Sequence, residues 1–99
     1  MAILIKNMDY YLHTNYNLPR TISGTVSPSV SDNAYNIVIN GKLCREAQLH
    51  AFYHEIAHIL CGHVDDPNVN MNDPAVEAEA EAAIPDAMNA VEPDAFCIT

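Results

Sequence analysis

Tryptophan is absent, and the aromatic complement is five Tyr and two Phe in 99 residues. A core with so few large rings must be built mainly from Ile, Leu, Val and Ala. Apolar residues make up 49% of the chain, which argues for a folded protein and against disorder. The three cysteines, Cys44, Cys61 and Cys97, are odd in number and widely spaced, with no C-x-x-C. That is not a disulfide framework. Positive charge is scarcest: four Lys and Arg stand against 13 Asp and Glu, a net charge of -9. No Lys or Arg follows residue 45, whereas nine acids follow residue 63. Such a surface repels phosphate backbones and anionic membranes, which excludes direct nucleic-acid binding as the working reading. No apolar run approaches the roughly 20 residues of a membrane span, and Met1 to Asp9 has no secretory core. The expectation is one cytoplasmic domain over 1–99, with reduced thiols and an irregular tail over 87–99.

What is present is concentrated in one stretch, His54-Glu55-Ile56-Ala57-His58. Two His four apart on a helix lie one turn above each other, about 6 Å along the axis. Both rings can then reach one metal ion, with Glu55 beside them to take a proton from a water the ion activates. Chance would give this H-E-x-x-H in roughly two of a hundred chains of this His and Glu content. It falls within an apolar periodic segment, Lys42 to Leu60, whose Leu49, Phe52, Tyr53, Ile56, Ala57 and Leu60 recur at helical spacing. Gly62 is the expected stop. His50 lies one turn before His54 on the same row.

The third ligand must come from elsewhere. His63 follows Gly62, but Cys61 and Val64 stand where the longer H-E-x-x-H-x-x-G-x-x-H pattern needs Gly and His. Cys61 is on the same helix and reads as a small core residue. Asp73-Pro74 caps a second helix, expected over 75–84 with Pro85 ending it. That helix carries Glu77, Glu79 and Glu81. Glu77 and Glu81 share a face, so either can meet the His pair, while Glu79 points nearly the opposite way. Upstream, Thr21 to Ser27 and Ala34 to Ile39 read as strands joined by a polar turn, an antiparallel hairpin. Met8, Tyr11 and Leu12 fit one face of a short N-terminal helix, although that segment is also the available third strand.

The run His54 to Cys61 followed by Gly62-His63, then Glu77-Ala78-Glu79-Ala80, resembles the ImmA/IrrE family of small zincin-type metallopeptidases. Leu18-Pro19, the Gly-containing strand, Ile39-Asn40, and Glu46 with Gln48 at the helix start fit the same pattern, over roughly residues 17–86. The resemblance implies an α+β, minimal zincin-like domain: a small antiparallel sheet packed on the H-E-x-x-H helix and a second Glu-bearing helix. It implies zinc held by His54, His58 and Glu77, with Glu81 and then His63 the alternatives, and Glu55 as catalytic base. It also implies hydrolysis of a peptide bond in a protein substrate, a helix-turn-helix transcriptional repressor of a phage or mobile element. Tyr53, Tyr35 and His63 are the candidates to stabilise the oxyanion. Glu81 occupies a place where the family carries Asn or Asp, and this motivates a second expectation, a non-catalytic metal-binding module that binds a partner protein.

Overall fold

A computed structural model describes residues 9–29 and 34–91. It is an α+β arrangement of three strands followed by three helices. The strands are β1 (Asp9–Asn15), β2 (Gly24–Pro28) and β3 (Ala34–Asn40). They lie in the order β1-β3-β2. The helices are α1 (Arg45–Leu60), α2 (Pro74–Ala82) and α3 (Ile84–Ala90).

The expected hairpin forms, with its first strand running Gly24–Pro28 and not 21–27: β2 runs antiparallel to β3, with Gly24 opposite Ile39 and Pro28 opposite Tyr35. Pro28 is tolerated because β2 lies at the edge of the described sheet and Pro28 ends the strand. The N-terminal expectation is corrected. Residues 9–15 are a strand, not a helix, and β1 pairs parallel to β3 from Asp9↔Ala34 to Asn15↔Asn40. The sheet is therefore mixed, not the antiparallel sheet expected. Tyr10 and Leu12, two apart, pack against the core, while Tyr11 and His13 are exposed. That period of two fits a half-buried strand better than the helical spacing of Met8, Tyr11 and Leu12. The expected helix before residue 9, the turn at 30–33 and the tail from 92 lie outside the described residues. The irregular tail expected from 87 is corrected over its first part: residues 87–90 belong to α3.

Two strands that run parallel cannot be joined by a tight turn. The chain leaves β1, crosses to the far edge as β2, and only then returns as β3. Asn40 secures that crossing. It is fully buried, and its side-chain amide donates to the carbonyls of Pro19 at 3.1 Å and Ile22 at 2.9 Å. Its Oδ1 accepts from the Lys42 backbone at 3.0 Å. Replacing Asn40 with Ala strands these groups with no new partner. The expected cost is roughly 1–3 kcal/mol, visible as a lower urea midpoint at unchanged slope.

Helix α1 is the spine, touching α2, α3, β2 and β3. Phe52, Ile56 and Ala57 are fully buried against Ile37 and Ile39, with Leu49 and Leu60 at the margin of the same cluster. Cys44, at the N-cap, makes no side-chain cap, as expected from its chemistry. Gly62, at φ 79°, takes the left-handed conformation that ends the helix. Asp73 caps α2, accepting from the Ala75 backbone at 2.9 Å. Pro85 does not end α2. The helix stops at Ala82, and Pro85 lies in the first turn of α3, where the missing N–H costs nothing. Tyr53 ties α3 down, its hydroxyl donating to the Val91 carbonyl at 3.0 Å. Among the described residues, no helix is long and apolar enough to cross a membrane.

Candidate metal centre

Helix α2 packs against α1, with Glu77 and Glu81 against the His row. Nε2 of His54 and Nε2 of His58 are 3.1 Å apart. Oε1 of Glu77 is 3.1 Å from the first and 2.7 Å from the second. These three residues are therefore close enough to hold one metal ion. His58 is buried, His54 half-buried and Glu77 exposed, so the group opens to solvent on the α2 side.

The hydrogen bonds around His54 say what the group lacks. A carboxylate only accepts, so the contact of His54 Nδ1 with Glu81 Oε1 at 2.7 Å has the ring N–H donating. In the neutral ring, Nε2 is then a bare electron pair facing Glu77 Oε1, another acceptor. Two electron pairs 3.1 Å apart need a proton or a cation between them, and the two compete for that place. Burial opposes charge on His54. The hydrogen bonds to Glu77 and Glu81 outweigh it and hold the ring's pKa above its ordinary value. At His58 burial wins over the Glu77 hydrogen bond, and the pKa is lowered.

Glu55 is 5% exposed. Burial first, and then the Glu77 charge, push its pKa up to about 7 against the opposing pull of His54. It lines a cleft of about 370 Å³ with His54, Glu77 and Glu81 on one side. The segment Thr21 to Thr25, including the start of β2, forms the other side. Gly24 is where β2 passes over this acid. A Cβ there would stand 3.5 Å from Glu55 Oε2 and 2.9 Å from the Val38 carbonyl oxygen. The strand approaches so closely because it carries no side chain at this position.

The remaining candidates are placed apart from the ligand group. Glu81 faces the outer nitrogen of His54 and also accepts from His50 Nε2 at 3.1 Å. His50 lines the cleft. His63 is turned away from the cleft: its Nδ1 lies 3.0 Å from His58 Nδ1 and its Nε2 2.6 Å from Glu79 Oε1. Glu79 does not join the His54–His58 pair, as the helical spacing requires, and meets His63 instead. Cys61, His63 and Glu79 form a second group within reach of one ion. Of the oxyanion candidates, Tyr53 is committed to Val91, Tyr35 donates to Asp65 at 2.6 Å, and His63 is buried behind His58. None of the three lines the cleft. The cleft's Thr21, Ser23, Thr25 and Asn72 were not singled out by the sequence, which carries no spacing signal for polar residues on separate segments.

Compared with protein-family models, with curated proteins and with solved structures, the chain matches none.

Proposed function

We propose that the protein is a zinc-dependent peptidase of the ImmA/IrrE type that its sequence resembles. The observation that carries the reading is the convergence of His54 Nε2, His58 Nε2 and Glu77 Oε1 at 2.7–3.1 Å beside a buried Glu55. Two imidazoles and a carboxylate are the ligand set of catalytic zinc, and donors at about 2.0–2.2 Å from a tetrahedral ion stand roughly 3.3 Å apart. The donor set fits by type and by spacing. Bound zinc supplies Lewis acidity there, acidifying a water and polarising a carbonyl.

The chain's own residues do the rest. Glu55 takes the proton of the attacking water and returns it to the leaving amine. A pKa near 7 suits a group that must both accept and release at neutral pH. Glu81 accepts from His54 Nδ1–H and fixes that ring with Nε2 inward. Among the described residues β2 has a strand partner only on its β3 side. The start of that edge borders the cleft. An extended peptide can pair with such an edge through its main chain, which supports a polypeptide over a small ester or amide as substrate. On the family resemblance, the substrate is a helix-turn-helix repressor of a phage or mobile element, met in the cytoplasm.

Purified protein is expected to hold one zinc per chain. Hydrolysis of an unfolded protein substrate is expected to cease with a chelator and return with zinc. Far less than one zinc per chain ends this reading. Stoichiometric zinc with partner binding and no cleavage instead favours the non-catalytic module.

A further inference from the structure

His63 and Glu79 play no part in the chemistry just described, yet they form a short polar chain that leads from solvent to a buried ligand. His63 is 5% exposed. It is brought back beside His58 because Gly62 reverses the chain, and the His63 backbone N–H then donates to the His58 carbonyl at 3.1 Å. Three groups follow in line: His58 Nδ1 to His63 Nδ1 at 3.0 Å, and His63 Nε2 to Glu79 Oε1 at 2.6 Å.

A carboxylate only accepts, so His63 Nε2 carries a proton toward Glu79. A neutral His63 then has a bare Nδ1, and a His58 that donates its Nδ1–H to it keeps Nε2 bare. Nε2 is the atom that faces Glu77 and His54. Without an ion, the same rule puts a proton on His58 Nε2 toward Glu77 at 2.7 Å, and a bound ion takes that proton's place. We infer that Glu79, acting through His63, is a positioning residue that selects the His58 tautomer and so sets the affinity of the metal centre from two residues away. The inference rests on the metal reading above and deepens it. With Glu77 as ligand and Glu81 on His54, each of the three alternate acids of α2 has a separate task.

The rival use of the same atoms is a second cation held by Cys61, His63 and Glu79. The thiol is a poor ligand there: burial, then the charges of Glu79 and Asp86, raise its pKa and disfavour the thiolate. The 2.6 Å contact is that of a charge-assisted hydrogen bond.

Glu79 is 64% exposed, so its side chain can be removed without opening the core. Zn2+ affinity is measured by competition with a chelating dye, and the histidine ring nitrogens by 15N NMR. In Glu79→Ala, affinity is expected to fall roughly 10–100-fold, the range for losing an outer-shell partner. Glu79→Gln is expected to recover most of it, because the amide oxygen can accept the same bond. Metal-free wild type at about pH 8, above the ordinary histidine range, is expected to show the His63 proton on Nε2, against Glu79. In Glu79→Ala the His63 proton is expected to spread over both nitrogens. Affinity within twofold of wild type in Glu79→Ala overturns the inference. So does a His63 proton on Nδ1 in the metal-free wild type, or a second Zn2+ per chain that Glu79→Ala removes. Should the wild type take up no Zn2+, the proposed function fails, and the metal-free spectrum still decides whether Glu79 sets the His63 tautomer.

Discussion

Glu55→Gln is expected to keep one zinc per chain and to lose roughly 10²–10⁴-fold in kcat, the range for a positioned general base. The two readouts separate because Glu55 is not among the converging donors, which are His54, His58 and Glu77. Gln has the size and shape of Glu but cannot take a proton from water. Stability is expected to hold or rise. A carboxylate that is 5% exposed, with a pKa pushed up to about 7 by burial, is costly to keep charged. A neutral amide removes that cost. A variant that is inactive, zinc-loaded and at least as heat-stable as the wild type therefore identifies a group kept for chemistry at the expense of the fold. Unchanged cleavage removes Glu55 from its role. Loss of zinc would mean that the carboxylate holds the metal and is not the base.

What the sequence reveals is mostly what repeats locally. The stripe Phe52, Ile56, Ala57 announces α1, and the same period of 3.6 puts His54 and His58 on one side of it. Asp73-Pro74 announces the start of α2 because a cap and a proline act within one turn. The β2–β3 hairpin is legible because its strands lie close in the chain. What is missed is non-local. Tyr10 and Leu12 become strand residues only because β3, some 25 positions later in register, offers them a ladder. Their own neighbourhood supports a helix equally well. Tyr53 is legible as a stripe residue, but its hydroxyl partner, the Val91 carbonyl, lies 38 residues on. Gly62 is legible as a stop. That its left-handed turn folds His63 back onto His58, and so gives Glu79 a partner, depends on where α2 comes to lie. Local spacing correctly separates Glu79 from Glu77 and Glu81, yet it cannot say what Glu79 meets.

The division between Glu77 and Glu81 yields the other large effect. Both acids contact His54, and the sequence leaves either free to be the third ligand. In the structure Glu77 Oε1 faces Nε2 of both His54 and His58, whereas Glu81 Oε1 faces Nδ1 of His54. The first position is shared by the two inward nitrogens, and the second lies on the far side of one ring. Glu77→Ala is therefore expected to weaken zinc binding more than 100-fold, beyond the roughly 10–100-fold range of an outer partner. Glu81→Ala is expected to stay inside that range, since it removes only the acceptor that orients His54. Neither change should disturb the fold, because both side chains are half-exposed. Circular dichroism of the two variants should match the wild type. A reversed order, with Glu81→Ala the more damaging, would mean that α2 turns on loading to present the later acid. The His50 ring, which donates to Glu81, would then have to give up its partner. Chelator competition on the two variants with a His50→Ala control separates these outcomes: His50→Ala changes affinity little if Glu77 is the ligand. If Glu81 is the ligand, His50→Ala raises affinity, because Glu81 is released toward the metal.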